Sequence, residues 1–138
     1  MTQLQEAVGT GLAATARVSP GIAGRLAFEL WRRPGRPVRV RASEQAVHEA
    51  ARATYVDHPR GRVTAYAWSD GARPVLLVHG WGSRASRWSD LVTALLDAGL
   101  SPVSYDAWAH GSTPGRVGGT ALDHQDVIAE LDRRSGGF

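Results

Sequence analysis

The sequence predicts an α/β fold in which an antiparallel hairpin leads into parallel strands with flanking helices. Two observations carry this prediction. First, two short segments of strand type within residues 54–68 are separated by a turn signal, as in a β-hairpin. Second, residues 75–131 read as strand, helix, strand and helix, and this alternation is typical of a mostly parallel sheet.

The first 53 residues are predicted to form a helical, arginine-rich extension. Residues 1–18 are rich in Ala, Gly and Thr and are expected to be ordered only in part. Ser19 followed by Pro20 is typical of a helix start, with the serine as N-cap and the proline in the first turn. One apolar stripe then follows at steps of four residues, formed by Ile22, Leu26 and Leu30. A second helix is expected from Ser43.

The hairpin is predicted from residues 54–57 and 62–68, and it opens the second domain, residues 54–138. In the second segment small apolar residues alternate with larger or polar ones, as in a strand with two different faces. His58-Pro59-Arg60-Gly61 supplies the turn between the two strands, and Ser69-Asp70-Gly71 supplies the next turn.

The remaining elements complete the alternation. Residues 75–78 are apolar on both faces and predict a buried parallel strand. A helix is expected over residues 86–98, with Gly99 as its end signal. Residues 102–105 predict a further strand, and a last helix is expected from about Thr120.

Composition excludes several classes of protein and site. The 138 residues are 43% apolar and 21% charged, which is typical of a globular domain. Cysteine is absent, so disulfides, thiolate zinc sites and cysteine nucleophiles are excluded. No apolar run approaches the roughly 20 residues that a membrane-spanning helix needs. The first residues also lack a basic secretory segment, so the sequence predicts a cytoplasmic protein.

Residues that could bind a ligand or take part in catalysis follow the two predicted parallel strands. His79, Gly80 and Gly82 follow the first strand, at the carboxyl edge where open α/β sheets bind ligands. The glycines allow the backbone to turn so that N–H groups point into the crevice. Such a donor can stabilise a developing oxyanion by about 2.7–4 kcal/mol.

This stretch resembles the alpha/beta-hydrolase family, most densely over residues 62–116. The residues that carry the resemblance are His79, Gly80, Gly82, Asp106, His110, Gly111 and Ser112. The resemblance implies an ester or amide hydrolase that works through an acyl-enzyme, with the backbone N–H of Trp81 in the oxyanion hole. It also implies that the Trp81 indole walls the acyl pocket and that both histidines are structural. Trp108 departs from the family, in which proline is common at that position.

No nucleophile, acid or histidine of a catalytic triad is assignable in these residues. The family places its nucleophile in a Gly-x-Ser-x-Gly turn between a strand and a helix. Gly111 and Gly115 are the one glycine pair with a hydroxyl residue between them at that spacing, but no strand leads into them. We therefore expect the truncated N-terminal part of a hydrolase, inactive alone. Its unpaired apolar strand over residues 75–79 predicts self-association.

A dinucleotide site is the main alternative. Gly80-x-Gly82-x-x-Ala85 follows a strand and opens a helix, and Asp106 ends the next strand about 20 residues on, where a ribose-binding acid belongs. This interpretation gives His79 and His110 no role.

Three further interpretations rest on weaker patterns. Arg32–Arg41 contains Pro-Gly-Arg-Pro and resembles an AT-hook, although a solvated connector explains it more simply. The helix Ile22–Leu30 has arginines beside it and is compatible with a membrane surface, but packing on the sheet is the more usual role. A metal site would draw on His79, Asp106, His110 and His124, whose spacings match no compact ligand motif. We expect no cofactor, no metal and no nucleic-acid partner.

Overall fold

The computed structural model describes residues 3–69 and 73–138, which fall into two compact units divided between Arg33 and Pro34. The sequence predicts a boundary twenty residues later, after residue 53. The residues between the two boundaries include a 3₁₀ turn, Ala42–Glu44, and a short helix α3, Gln45–Glu49, which contacts the later helix Ser89–Asp97. Because of these contacts, the segment from Pro34 to Glu49 is part of the second unit, which contains the sheet. Of the turn predicted at 69–71, Asp70 and Gly71 lie outside the described residues.

The first unit is a pair of helices, α1 (Gln3–Val18) and α2 (Pro20–Trp31). The predicted start of α2 is confirmed, since Ser19 is its N-cap with extended backbone and Pro20 lies in the first turn. Residues 3–18 form a continuous helix, whereas the sequence analysis expected partial order. Alanine is the strongest helix former, and the alanines of this segment offset the cost of its two glycines.

The second unit contains a four-stranded sheet in the order β1-β2-β4-β3. The strands are β1 (Arg52–His58), β2 (Gly61–Ala67), β3 (Pro74–Val78) and β4 (Ser101–Asp106). The predicted hairpin β1–β2 is antiparallel, β2 pairs antiparallel with β4, and β3 pairs parallel with β4. The fold is therefore mixed α/β, with an antiparallel hairpin next to a parallel pair.

Strand β3 differs from its prediction in burial. Its sequence predicts burial on both faces, but it lies at the sheet edge of the described residues and pairs only with β4. Leu77 is buried, whereas Val78 is 41% exposed. An apolar strand at an edge exposes unpaired backbone groups to other chains.

Helices α4 (Ser89–Asp97) and α5 (Ala121–Ser135) flank the sheet, and a 3₁₀ turn, Ala85–Trp88, precedes α4. No helix of the described residues is long and apolar enough to cross a bilayer. The N-cap of helix α5 is Thr120, whose side chain accepts a hydrogen bond from the backbone N–H of Asp123 in a capping box. The helix ends at Gly136 with φ 77°, the left-handed conformation that glycine adopts easily. The main core cluster joins the sheet to α5. Its members are Val56, Val63, Ala65, Val103, Tyr105, Ala107, Trp108, Val127 and Leu131.

Candidate functional site

Two loops meet at one edge of the sheet, after β3 and after β4. The first loop covers residues 79–84 and the second covers residues 107–119. Because β3 and β4 are parallel neighbours, their carboxyl ends lie side by side and bring both loops together. All of the residues that carry the family resemblance lie in these loops or at the end of β4.

Each loop supplies a histidine that accepts a backbone hydrogen bond from the other loop. His79 Nε2 accepts from the Ala107 N–H at 3.0 Å, and His110 Nε2 accepts from the Gly82 N–H at 2.9 Å. In a neutral ring, an accepting Nε2 places the proton on Nδ1. Accordingly, His79 Nδ1 donates to the Gly80 carbonyl and His110 Nδ1 donates to the Trp108 carbonyl, each at 2.8 Å. We call these four hydrogen bonds together the histidine exchange.

Both rings of the histidine exchange are buried, with His79 7% and His110 3% exposed. Burial lowers the pKa of His79, while the carbonyl of Gly80 and the charge of Asp106 act in the opposite direction. The neutral ring is the form that can accept from Ala107, so burial and hydrogen bonding favour the same state. Each histidine ring therefore links the two loops through its hydrogen bonds.

Asp106 is the centre of a second set of contacts between the loops. Its carboxylate is 0% exposed and accepts from the backbone N–H of Ala85 at 2.8 Å and of Ser112 at 2.7 Å. The Tyr66 hydroxyl donates to it at 2.9 Å, and the Arg84 guanidinium lies 3.5 Å away. The result is a carboxylate with several donors, which offset the cost of burying its charge.

Gly111 is required by the close approach of this carboxylate. Its φ is +47°, and a Cβ placed there would lie 2.0 Å from Asp106 Oδ2. Next to it, the Thr113 hydroxyl donates to the Asp106 carbonyl and accepts from the Thr64 N–H at 2.9 Å. The second loop is thus attached both to the end of β4 and to β2.

Several residues that shape this site were missed by the sequence analysis. Tyr66 is one residue of an alternating strand, and burial raises the pKa of its hydroxyl to about 12, so it remains a proton donor to Asp106. Arg84 donates to the Val38 carbonyl at 3.1 Å and to Ser112 Oγ at 3.2 Å. No sequence motif singles out a tyrosine inside a strand, or an arginine at a loop position where the motif specifies no residue.

The basic connector is fixed to the sheet unit through its backbone. Besides the bond from Arg84, the Arg39 carbonyl accepts from Arg87 at 3.1 Å. Glu44 is 4% exposed, pairs with Arg87 and accepts from Ser86 Oγ at 2.7 Å. Burial alone would raise the pKa of Glu44, but the hydrogen bonds from Ser86, from the Arg41 backbone and from Arg87 outweigh it, and the pKa is lowered. These contacts show that the connector packs against the rest of the sheet unit.

The Trp81 indole lies against the second loop. Its ring meets His110 edge-on, with centroids 5.1 Å apart at 75°, and the residue is 43% exposed. A Cβ at Gly118 would approach the indole to 2.3 Å, so the glycine makes room for the ring.

Trp108, the departure from the family pattern, is 3% exposed in the core beneath the second loop. His58 lies edge-on to it at 4.7 Å, and the Arg60 guanidinium lies 5.2 Å from its ring centre. The backbone at the next residue, Ala109, takes φ 62°, which is uncommon for a non-glycine residue. The buried ring of Trp108 therefore attaches the second loop to the core, and the loop keeps its contacts to β4.

The residues grouped as a metal alternative are not arranged as ligands. His79 and His110 have both ring nitrogens in hydrogen bonds, and His124 Nδ1 lies 2.7 Å from the Tyr105 hydroxyl. Burial lowers the pKa of His124, and the neighbouring His110 adds to this effect. Within residues 3–69 and 73–138 no group of three or more His, Asp or Glu side chains is placed to hold a metal ion.

Comparison with known proteins gives partial matches, among them one curated sequence and one solved structure. No family model matches the chain. A non-heme chloroperoxidase of Kitasatospora aureofaciens is 38% identical over 72 residues, which are 49% of this chain and 26% of that protein. An esterase structure from Pyrococcus furiosus superimposes with a TM-score of 0.51 at 18% identity, over 72% of this chain and 39% of the esterase chain.

The chain spans well under half the length of either protein. The sequence match covers about half of this chain, and the structural match shows the fold of the sheet and its helices. Both results agree with the resemblance seen in the two loops. The chain is thus similar, over part of its length, to two proteins of the alpha/beta-hydrolase fold.

Proposed function

We propose that the two loops form the oxyanion-binding part of an ester or amide hydrolase that acts on small molecules. In this proposal the backbone N–H of Trp81 is the donor to the substrate oxyanion, and its indole walls the acyl pocket. His79, Gly80, Gly82, Asp106, His110, Gly111 and Ser112 are the residues that hold this donor in place. They are positioning residues and do not contact the substrate.

The observation that carries the proposal is the histidine exchange. It fixes the first loop at the residues on both sides of Trp81, since His79 Nδ1 donates to the Gly80 carbonyl and the Gly82 N–H donates to His110. An oxyanion donor is effective when its position is set before the reaction, because no reorganisation is then needed. Gly82 has φ +68°, which allows the turn that such a loop requires.

The same proposal predicts negligible hydrolysis by these 138 residues alone. Their sequence contains no Gly-x-Ser-x-Gly turn between a strand and a helix. Ser112, the serine nearest to such a spacing, donates its backbone N–H to Asp106 and accepts from Arg84 at its hydroxyl. A serine held by an arginine, without a histidine base at its hydroxyl, is not an activated nucleophile.

The dinucleotide alternative finds less support in the geometry. Its ribose-binding acid would be Asp106, which needs a carboxylate open to two ribose hydroxyls. That carboxylate is 0% exposed and already accepts hydrogen bonds from Ala85, Ser112 and Tyr66. Binding a ribose there would require breaking the contacts that join the two loops.

The experiment titrates the purified chain with methylphosphonate, as a tetrahedral anion, and separately with NAD, while amide resonances are followed by NMR. Anion-dependent shifts confined to residues 80–84, weakened in Gly82→Ala, would support the oxyanion loop. Shifts induced by NAD, or none by the anion at millimolar concentration, would reject it. A fluorophosphonate probe is expected to leave the chain unlabelled, and stoichiometric labelling would reject the predicted inactivity.

Association through β3 is part of the same proposal. Among the described residues its outer edge has no partner strand, and its four residues after Pro74 are Val, Leu, Leu and Val. Neither lysine nor a bulge interrupts this edge, and such edges favour pairing with another strand. A monomer at all concentrations in analytical ultracentrifugation would contradict this part of the proposal.

A further inference from the structure

The second loop ends in two glycines that lie against two tryptophan rings. A Cβ at Gly118 would approach the Trp81 ring to 2.3 Å, and a Cβ at Gly119 would approach the Trp108 ring to 2.9 Å. Neither glycine has the left-handed backbone that favours glycine, so the missing side chains serve the ring contacts rather than the path of the chain. The position of the backbone at Gly118 therefore decides where the Trp81 indole can lie.

Arg60, in the turn between β1 and β2, reaches the chain at these glycines. Its Nη2 atom donates to the carbonyl oxygens of Val117 and Gly118, each at 3.4 Å. Its Nη1 atom pairs with Asp123 at the start of α5, and the guanidinium lies 5.2 Å from the Trp108 ring centre. A planar guanidinium with several N–H donors can hold a carboxylate and two carbonyls at once. Arg60 thus joins the hairpin turn to the end of the second loop.

The Trp81 indole needs support beyond that of its backbone. The histidine exchange fixes the first loop at Gly80 and Gly82, but none of its four hydrogen bonds involves the indole. The residue is 43% exposed, and a partly exposed ring changes its side-chain rotamer unless neighbouring atoms block it. The edge-on contact with His110 limits the ring on one side, and the backbone at Gly118 limits it at another. Whatever holds that backbone in place therefore also holds the ring.

We propose that Arg60 is a positioning residue, which sets the orientation of the Trp81 indole through the carbonyls of Val117 and Gly118. The inference rests on the proposed function, in which this indole walls the acyl pocket. A wall held in one orientation fixes the size of the acyl group that fits beside it. Arg60 therefore acts on specificity for the acyl group through the backbone of the second loop. A purely structural role would require only the ion pair with Asp123, which joins the hairpin to α5.

The direct test is fluorine NMR of the whole chain, with its five tryptophans labelled as 5-fluorotryptophan and the Trp81 signal assigned by Trp81→Phe. Arg60→Ala should shift the Trp81 signal by more than its line width, because the backbone at Gly118 loses its support. Gly118→Ala should shift the same signal, because the added Cβ displaces the ring.

Two further variants separate positioning from general stabilisation. Arg62→Ala removes an arginine of the same hairpin that pairs with a carboxylate at 2.9 Å and lies 5.8 Å from an aromatic ring centre, both on β1. It should leave the Trp81 signal unchanged. Arg60→Lys keeps a positive charge for Asp123 but lacks the planar fork, so the Trp81 signal should remain displaced. This variant carries the test if Arg60→Ala does not fold.

A second measurement compares butylphosphonate with methylphosphonate in the amide NMR titration. The wild-type chain should bind the longer ligand more tightly, since its methylenes contact the indole. Arg60→Ala should reduce this preference about fivefold. It should change the affinity for methylphosphonate little, because that ligand depends on the Trp81 N–H.

The inference is overturned if the Trp81 signal of folded Arg60→Ala matches that of the wild-type chain. It is also overturned if Arg60→Lys restores the signal fully, since the ion pair alone would then suffice, or if Arg62→Ala displaces it equally. Absence of phosphonate binding by the wild-type chain would instead reject the proposed function, while the fluorine signal would still decide whether Arg60 positions the indole.

Discussion

The sheet unit, residues 34–138, and the helical unit, residues 3–33, are stabilised in different ways. In the sheet unit, the bonds of Asp106 to Tyr66 and of Thr64 to Thr113 join residues 40 and 49 positions apart. In the helical unit, the side-chain bonds of Thr10 and Thr15 reach four residues back along the same helix. A substitution at the two loops should therefore disturb several elements at once, whereas one in α1 or α2 should remain local.

Glycine-to-alanine substitutions give the largest contrast between the units. Gly111→Ala should destabilise the sheet unit by about 4 kcal/mol, because its Cβ would collide with the enclosed Asp106 carboxylate. Gly24→Ala in α2 should instead stabilise its helix by about 1 kcal/mol, because its Cβ meets nothing within 4 Å. Urea unfolding followed by tryptophan fluorescence measures the first, and hydrogen exchange of the α2 amides measures the second.

The control for Gly111 separates collision from backbone strain. Gly35 has φ +83° with nothing within 4 Å of its Cβ position, so Gly35→Ala costs only the left-handed conformation, about 1 kcal/mol. If Gly111→Ala and Gly35→Ala prove equally costly, the approach to Asp106 contributes little. The picture of a sheet unit held by its central carboxylate would then be wrong.

The second contrast is pH dependence. His48, His79 and His124 have lowered pKa values, each chiefly from burial, and all lie in the sheet unit. Residues 3–33 contain no histidine. Because the folded pKa lies below the unfolded value of 6.5, the folded state binds fewer protons. The stabilisation is therefore complete above pH 6.5 and is lost as the pH falls below it, by at most about 1.4 kcal/mol per pH unit for each histidine.

Urea unfolding between pH 7 and pH 5 measures this slope. Around His79, the charge of Asp106 raises its pKa while His110 and His124 lower it, so the slope belongs to the cluster as well as to one ring. His79→Gln keeps an acceptor for the Ala107 N–H but takes up no proton, and it should reduce the slope. An unchanged slope in this variant would show that His79 does not take up the proton. Helix α2, followed by hydrogen exchange, should not weaken over the same range.

Local signals in the sequence predicted most of the secondary structure. The Ser19-Pro20 start, the turn at His58–Gly61 and the alternation that follows each depend on neighbouring residues, and the structure confirms them. Residues 3–18 were misjudged because glycine and threonine obscured the helix propensity of the alanines.

Contacts between distant residues were less accessible. The resemblance placed His79 and His110 in supporting roles, but their exchange of bonds depends on the parallel register of β3 and β4. Tyr66, Arg84 and Glu44 carry no motif at all, because an isolated polar residue in a strand, loop or short helix is normally solvated. Their roles follow from burial, which the chain acquires only when the elements pack.

Helix caps offer the smallest and most local contrast. Thr120 and Ser19 both occupy the N-cap position with extended backbone, but the Thr120 side chain accepts from the Asp123 N–H, whereas Ser19 makes no side-chain cap bond. Thr120→Ala should therefore cost about 1 kcal/mol and Ser19→Ala less than about 0.3 kcal/mol. Hydrogen exchange of the first-turn amides of α5 and α2 measures each. Equal losses would mean that Ser19 caps its helix in solution, and that the helical unit is held by more side-chain bonding than its structure displays.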